Sequence, residues 1–255
     1  MGKIYHRRIG RGAALYIPVG ALIIIFLTVW GTSIFLTIVD IEVTGVSIYT
    51  EAEIIEASGI VSGDNMLFLD MKSASLSICE AKPYISDVKI SRVPPDVIRI
   101  EVTESTATAM ISYQDRVLVI DSNGRILKEM DKTYSGLIDV RGIVPENPVE
   151  GYPVKVAQGG EMQLQYTKDV LMAIEKEGLE GDVSYLDVSN IANISLVYGG
   201  RFKVMLGGPG NARHKLSQLI TVVIPDIEDN RGSYSEPWTV NMTDPSGAWT
   251  WRQEN

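Results

Sequence analysis

The residue types that commonly carry catalysis are scarce in this 255-residue chain. It contains two histidines, His6 and His214, and a single cysteine, Cys79. The sequence has no HExxH, CxxC or Gly-x-Ser-x-Gly motif. We therefore predict no catalytic residues, no metal ligands and no cofactor. We expect His214 to be a surface or capping residue rather than a general base, and Cys79 to be a small buried residue.

Two loops could bind a charged ligand, but neither has the spacing that such a site needs. The stretch "LGGPGNARHK", Leu206 to Lys215, lacks the G-x-x-x-x-G-K-[ST] pattern of a phosphate-binding loop. It is interpreted as a turn from a strand into a helix capped by Asn211. The acidic pair Glu228-Asp229 lacks the alternating oxygen ligands of a calcium loop, which favours a solvated linker.

Charge is distributed unevenly along the chain. Residues 1–12 carry four basic residues and no acidic one, whereas the remainder carries 19 basic and 32 acidic residues. An acidic body argues against nucleic-acid binding, which depends on neutralising phosphates with Lys and Arg. The basic cluster from Lys3 to Arg11 is interpreted as a signal for membrane orientation, with a lipid-specific site as the alternative.

The 28 residues from Gly12 to Val39 contain no charged side chain. A helix of that length spans ~42 Å, more than the ~30 Å hydrocarbon core of a bilayer. We predict a cytoplasmic stub at 1–12, a transmembrane helix at 13–38 and an extracytoplasmic body. A cleaved signal peptide is the alternative, although its apolar region is normally ~7 to 15 residues long. With one cysteine, the body must be stabilised by its hydrophobic core.

The region 39–105 has the pattern of a small mixed domain. Val39 to Val43 alternates as a strand that Gly45 ends, and Thr50-x-x-Glu53 predicts a capping box at the start of a helix. A second helix is expected between a cap at Asp70 and Pro83, followed by two strands around the turn Pro94-Pro95-Asp96. The predicted order is β-α-α-β-β.

These residues resemble the POTRA module of the bacterial division protein family FtsQ, called DivIB in Gram-positive bacteria. The resemblance lies in "VDIEVTGVSIYTEAEII" and "PYISDVKISRVPPDVIRIEVTES". Nine residues match the closing pattern of that module in order: Tyr84, Ile85, Val88, Arg92, Pro95, Ile98, Ile100, Val102 and Glu104. The sequence departs from the family pattern just after the glutamate, where Ser105 and Ala107 replace the usual Arg and Pro.

The rest of the chain is predicted to be mostly strand. The run Asp121 to Gly124 is expected to be a hairpin turn, and helices at 162–177 and 211–223 place apolar residues on one face each. A sheet with both helices on one face would bury those stripes. The predicted fold class is α+β, with a transmembrane helix, a POTRA domain at 39–105 and a mostly antiparallel β domain at 106–225. Residues 226–255 form a linker and a terminal edge strand.

The chain ends in "SEPWTVNMTDPSGAWTWRQEN", which holds three of the four tryptophans and alternates apolar with polar residues. Resemblance to the family implies that FtsB or DivIC adds a strand here, with Thr239 to Thr243 as the backbone edge. The predicted partner-binding residues are Trp238, Thr239, Val240, Asn241, Met242, Thr243 and Trp249. The alternative is a strand that only completes the core of its own domain.

The resemblance implies a non-enzymatic, bitopic scaffold of the division septum. Its expected partners are FtsB/DivIC and FtsL, through which it would position and regulate the septal peptidoglycan synthase FtsW/FtsI. The main alternative is a POTRA-bearing subunit of a protein translocation or membrane-assembly machine. Repeated POTRA units or a C-terminal barrel would favour that alternative, and neither is visible in the sequence. An enzyme is the third possibility, which would require perturbed acidic groups in a shielded pocket.

Overall fold

The structure is a computed structural model that describes residues 13–131, 136–208, 210–231, 237–244 and 246–253. The chain divides into two compact units. Unit 1 comprises residues 1–78 and 87–103, and unit 2 comprises residues 79–86 and 104–255.

The first element is the helix α1, Ala13–Phe35, which contains Pro18. Over the residues that the structure describes, no helix has the length and hydropathy that a membrane span requires. The transmembrane helix at 13–38 therefore stays a prediction.

The β-α-α-β-β order predicted for the region after α1 is confirmed. The strand β1 is followed by two helices and two more strands, and the three strands form a sheet in the order β1-β3-β2. β1 and β3 are parallel, with Val43 opposite Ile100. The elements are β1 (Asp40–Thr44), α2 (Glu51–Ser58), α3 (Met71–Ala81), β2 (Ile85–Val93) and β3 (Val97–Glu104).

Local sequence signals set the ends of these elements. The Thr50 hydroxyl accepts a hydrogen bond from the Glu53 N–H (3.3 Å), and the Glu53 carboxylate accepts one from the Thr50 N–H (2.9 Å), which completes the predicted capping box. Asp70 caps α3 by accepting from the N–H groups of Lys72 and Ser73, both at 3.1 Å. β1 stops before Gly45, which adopts a φ of +87°. Each boundary was thus readable from a few adjacent residues.

Unit 2 is built on a nine-stranded sheet in the order β12-β11-β10-β9-β8-β7-β4-β5-β6. Five of its eight strand pairs are antiparallel, and β4–β7, β7–β8 and β10–β11 are parallel. The mostly antiparallel α+β architecture is therefore confirmed. The strands are β4 (Ala109–Tyr113), β5 (Arg116–Ile120), β6 (Ile126–Met130), β7 (Ile138–Arg141), β8 (Val183–Asp187), β9 (Ile194–Tyr198), β10 (Phe202–Gly207), β11 (Trp238–Asn241) and β12 (Thr250–Gln253).

Helices pack their apolar stripes into the core of this unit. α4 (Glu161–Glu177) buries Leu171 and Ile174, and α5 (Ala212–Gln218) buries Leu216. These side chains join the buried residues of the strands in one hydrophobic cluster. The two predicted apolar stripes are therefore part of the core.

Three expectations about this unit are corrected. After α5 the helix continues as a π-helical turn, Leu219–Val223, and then as α6, Ile224–Arg231, so Glu228 and Asp229 lie in a helix rather than a linker. The helix persists because Ile224 and Ile227 continue the buried stripe. Asn211 does precede α5, but its side chain makes no capping hydrogen bond because the residue is in the left-handed region (φ +55°). Cys79, finally, is only partly buried.

Candidate partner-binding edge

The terminal run predicted to be the edge of the sheet is in fact its second strand. β11 pairs in parallel with β10 on one side, with Val240 opposite Val204. On its other side β11 pairs antiparallel with β12, with Val240 opposite Trp251. The prediction that residues 239–243 form the exposed backbone edge is therefore wrong, because the chain turns back and covers that edge with its own last residues.

The predicted partner-binding residues have different surroundings. Trp238, Val240 and Met242 are buried in the core of unit 2, with 3%, 0% and 0% of their surfaces exposed. Thr239 is also buried, whereas Asn241 and Trp249 are half-buried and Thr243 is exposed beyond the end of β11. The alternative interpretation, completion of the domain's own core, thus holds for the apolar members of the run.

β12 is the outermost strand at this end of the described sheet. Thr250, Arg252 and Gln253 are exposed, and Trp251 is half-buried and packs against the hydrophobic cluster. An outermost strand presents alternate N–H and C=O groups to the outside, where an incoming strand can pair with them. One face of β12, with Thr250 and Arg252, also borders a shallow pocket of about 440 Å³.

The opposite end of the same sheet is protected. β6 is the outermost strand there, but the segment 150–153 lies along it. The Ile126 N–H donates to the Tyr152 carbonyl (2.9 Å), and the Gly151 N–H donates to the Ile126 carbonyl (2.8 Å). The Glu129 N–H is bound by the Glu150 carboxylate at 2.7 Å. Proteins commonly protect edge strands in this way, so the lack of such cover over β12 among the described residues distinguishes that edge.

A compact turn connects β11 to β12. The Asp244 carboxylate accepts hydrogen bonds from the Ser246 N–H (2.8 Å) and the Ser246 hydroxyl (2.7 Å), which lower the pKa of Asp244 below its ordinary value. The Trp249 indole N–H donates to the Asp244 carbonyl at 3.2 Å. These bonds hold the start of β12 in place against β11.

A groove of about 540 Å³ lies beside this turn, and Trp249, His214 and Lys215 are among its lining residues. The ring centroids of His214 and Trp249 are 6.2 Å apart. Lys215 is buried and donates to the Leu206 carbonyl at 2.5 Å, and its burial lowers the pKa of the ammonium group. Lys215 therefore has a structural role, since its ammonium group satisfies a backbone carbonyl of β10.

A metal site requires a cluster of ligating side chains, which is absent from the part of the chain that the structure describes. No group of three or more His, Cys, Asp or Glu side chains there is arranged to hold a metal ion. β12, the outermost strand of the described sheet, has the geometry to pair with an extended peptide strand.

Comparison with known proteins agrees with this architecture. Residues 36–105 match the family described as "POTRA domain, FtsQ-type". The chain is 25% identical to the cell division protein DivIB of Clostridium tetani over 83% of this chain and 78% of that protein. It is 29% identical to DivIB of Clostridium acetobutylicum, covering 75% and 76% of the two chains. It is 35% identical to FtsQ of Corynebacterium glutamicum over 34% of this chain and 38% of that protein.

The β-α-α-β-β module of unit 1 and the matching profile define a protein with an FtsQ-type POTRA domain. The similarity to DivIB extends over most of the chain and includes unit 2. Residues 36–105 are thus an FtsQ-type POTRA domain, and the chain as a whole is similar to the cell division proteins DivIB and FtsQ.

The strand that the sequence analysis missed is β12. "TWRQ" contains one apolar residue, Trp251, so it has no alternation to detect. A signal was nevertheless present, because Asp244-Pro245-Ser246-Gly247 is a turn sequence between two short runs, a pattern typical of a hairpin.

Proposed function

We propose that this protein is a membrane-anchored, non-enzymatic scaffold of the division machinery that binds FtsB/DivIC and FtsL. The partner would add a strand to the outer edge of β12. The observation that carries this proposal is the difference between the two ends of the nine-stranded sheet. β6 is covered by the segment 150–153, whereas β12 is the outermost strand and three of its four residues are exposed.

Strand addition would supply both the affinity and the specificity of such an interface. Backbone hydrogen bonds to β12 would supply affinity with little dependence on sequence, and side chains beside the strand would supply specificity. Arg252 and the half-buried ring of Trp251 are suited to the second role, because Arg and Trp are enriched among residues that dominate binding energy. Binding of this kind would serve to position FtsW/FtsI at the septum rather than to catalyse a reaction.

Anchoring in the membrane is supported by the first 39 residues. The 28-residue uncharged stretch follows a basic stub, a pattern that favours a cytoplasmic N-terminus under the positive-inside rule. Large apolar side chains of α1 from Leu22 to Leu27 are exposed, as expected of a helix surrounded by lipid.

The test is the affinity of the chain for the cognate FtsB/DivIC–FtsL ectodomain, with proline placed in β12. Successive N–H groups along a strand point to opposite sides, so of Trp251→Pro and Arg252→Pro one removes an outward donor and the other a donor to β11. We expect both to raise the dissociation constant by about fivefold or more, since each lost bond is worth about 1 kcal/mol and the strand is distorted as well.

Thr243→Pro is the matched control. Thr243 lies beyond β11, and its N–H is bound to the Asn241 side chain at 3.0 Å rather than to another strand. This variant should bind as the wild type does. If both β12 variants are folded by circular dichroism and bind as the wild type does, the edge of β12 is not the docking site.

A further inference from the structure

Two apolar side chains protrude from a tight turn in unit 1. Leu67 and Phe68 expose 49% and 78% of their surfaces. The turn is held locally by Asn65, whose side-chain oxygen accepts from the Leu67 N–H (2.9 Å) and whose carbonyl accepts from the Phe68 N–H (3.2 Å). Single exposed apolar residues are ordinary, but an adjacent pair displayed by an ordered turn is a candidate contact surface.

Arg92 fixes this turn from both sides. Its Nε donates to the Met66 carbonyl at 2.7 Å, and its Nη2 donates to the Leu69 carbonyl at 3.1 Å. The two carbonyls flank Leu67 and Phe68 directly. Met66 itself is 1% exposed and anchors the turn in the core. The guanidinium and the buried methionine together keep the two intervening side chains pointing away from the domain.

The turn lies beside the end of α1. The Met66 N–H donates to the carbonyl of Leu36, the residue that directly follows α1, at 2.8 Å. The Ile38 N–H donates to the Asp64 carbonyl, also at 2.8 Å. Thr37 and Asn65 form an antiparallel bridge between the same two segments. These contacts therefore hold Leu67 and Phe68 beside residues 36–38, which directly follow α1.

We propose that Leu67 and Phe68 insert into the surface of the lipid bilayer around α1. This inference rests on the proposed membrane anchor, because an embedded α1 places Leu36 at the boundary of the hydrocarbon region. The exposed residues Val39 and Val61 extend the apolar surface on the same two segments. Lipid is the occupant favoured by this continuity with the exposed apolar side chains of α1.

The contact is apolar rather than electrostatic. Residues 64–69 of the turn contain one charged side chain, Asp64, which accepts from the Val61 N–H (3.0 Å). Arg92 is engaged by backbone carbonyls, and the exposed Lys72 lies next to the carboxylate of Asp70, the cap of α3. The turn itself carries no basic side chain with which to attract anionic headgroups, so its affinity for the surface comes from burying Leu67 and Phe68.

The test uses the full chain in phosphatidylcholine vesicles, with an environment-sensitive fluorophore on one cysteine at a time. In a Cys79→Ser background, the labelled variants are Phe68→Cys on the turn, Ile25→Cys within α1 and Ile48→Cys. Ile48 is a matched control because it is 52% exposed and follows β1, which carries the chain roughly 15 Å away from α1. Quenching by lipids with a nitroxide near the top of the acyl chain reports contact of positions 68 and 48 with the bilayer, and a nitroxide near the end of the acyl chain reports it for position 25.

We expect loss of fluorescence for labels at 68 and 25 and none at 48. Quenching at 25 without quenching at 68 would overturn the proposed contact while leaving the anchor intact. No quenching at 25 would overturn the anchor and the contact together. Quenching at all three positions would overturn the specific role of this turn, because the domain would then contact the bilayer over a wide surface. A label at position 68 could instead be unquenched by lipid but increasingly shielded from aqueous iodide as the protein concentration rises. That result would overturn the lipid contact and identify a second copy of the chain as the occupant.

Discussion

Replacing Gly45 with alanine should destabilise unit 1 far more than the same change at Gly59. Both glycines have a positive φ, +87° at Gly45 and +68° at Gly59, so alanine is strained at either position. A left-handed conformation costs an L-residue about 1–2 kcal/mol. The surroundings differ, since a Cβ at Gly45 would lie 2.1 Å from the carbonyl oxygen of Val102 and a Cβ at Gly59 would meet nothing within 4 Å.

The magnitude follows from that contact. An ordinary carbon–oxygen contact is about 3.3 Å or more, so the backbone of β1 or β3 would have to move by about 1 Å. Val102 is itself buried in β3, and forcing atoms into a packed core costs about 1–3 kcal/mol. We expect Gly45→Ala to lower the free energy of unfolding by about 2–5 kcal/mol and Gly59→Ala by about 1–2 kcal/mol.

Native-state hydrogen exchange of the full chain would measure this difference, because the amides of β1 and β3 report the opening of unit 1 separately from that of unit 2. The two alanine variants are compared under identical conditions. Equal losses of protection in both variants would refute the reasoning, because the strain of a positive φ would then account for the whole effect and the contact with Val102 for none of it.

Three further predictions concern single polar groups. Arg92→Lys should destabilise unit 1 by about 1–3 kcal/mol in chemical denaturation, because an ammonium cannot reproduce the two-pronged contact with the Met66 and Leu69 carbonyls; unchanged stability would contradict this role. Asp121 is buried and accepts hydrogen bonds from the Ser105 hydroxyl and the Arg125 N–H, both at 2.8 Å. Asp121→Ala should therefore lower the free energy of unfolding of unit 2 by about 2–4 kcal/mol, and Ser105→Ala should lower it by less. Chemical denaturation of unit 2 measures both values. Hydrogen bonds from the Ser73 N–H and hydroxyl hold the pKa of Asp70 below its ordinary value, so its stabilising effect is present above about pH 4 and is lost as the pH falls through the lowered pKa. In a series of thermal melts at different pH, Asp70→Asn should remove the loss of stability that accompanies protonation of Asp70. An identical pH dependence in the wild type and in Asp70→Asn would contradict this role of Asp70.

Local signals were sufficient to predict most of unit 1. The capping box at Thr50 and the cap at Asp70 involve residues three positions apart or fewer, so the sequence contains the whole interaction. The stop at Gly45 was also readable, although the nearby carbonyl of Val102, which makes glycine necessary there, is 57 residues away and could not be foreseen.

Unit 2 shows where such reasoning stops. β12 was missed because "TWRQ" has no alternation, and its identity as a strand depends on pairing with β11. The helix beyond Val223 was missed because Pro225 and the acidic residues after it favour a linker. Pro225 nevertheless lies inside the helix, just after the π-helical turn Leu219–Val223, and the buried side chains of Ile224 and Ile227 hold α6 against the core.

Arg92 illustrates a residue whose place in a motif was visible but whose role was not. The sequence placed it in the closing pattern of the POTRA module. The contacts with the Met66 and Leu69 carbonyls are made across 26 and 23 residues, so only the fold brings them together.

The most direct test of the central proposal compares the two outer strands of the same sheet. Hydrogen exchange of the amides of β12 and β6 would be measured in the full chain, with and without the FtsB/DivIC–FtsL ectodomain. Strand addition at β12 predicts slower exchange for β12 in the complex and no change for β6, whose edge is already covered by the segment 150–153. A stable complex that leaves the exchange of β12 unchanged would contradict the account.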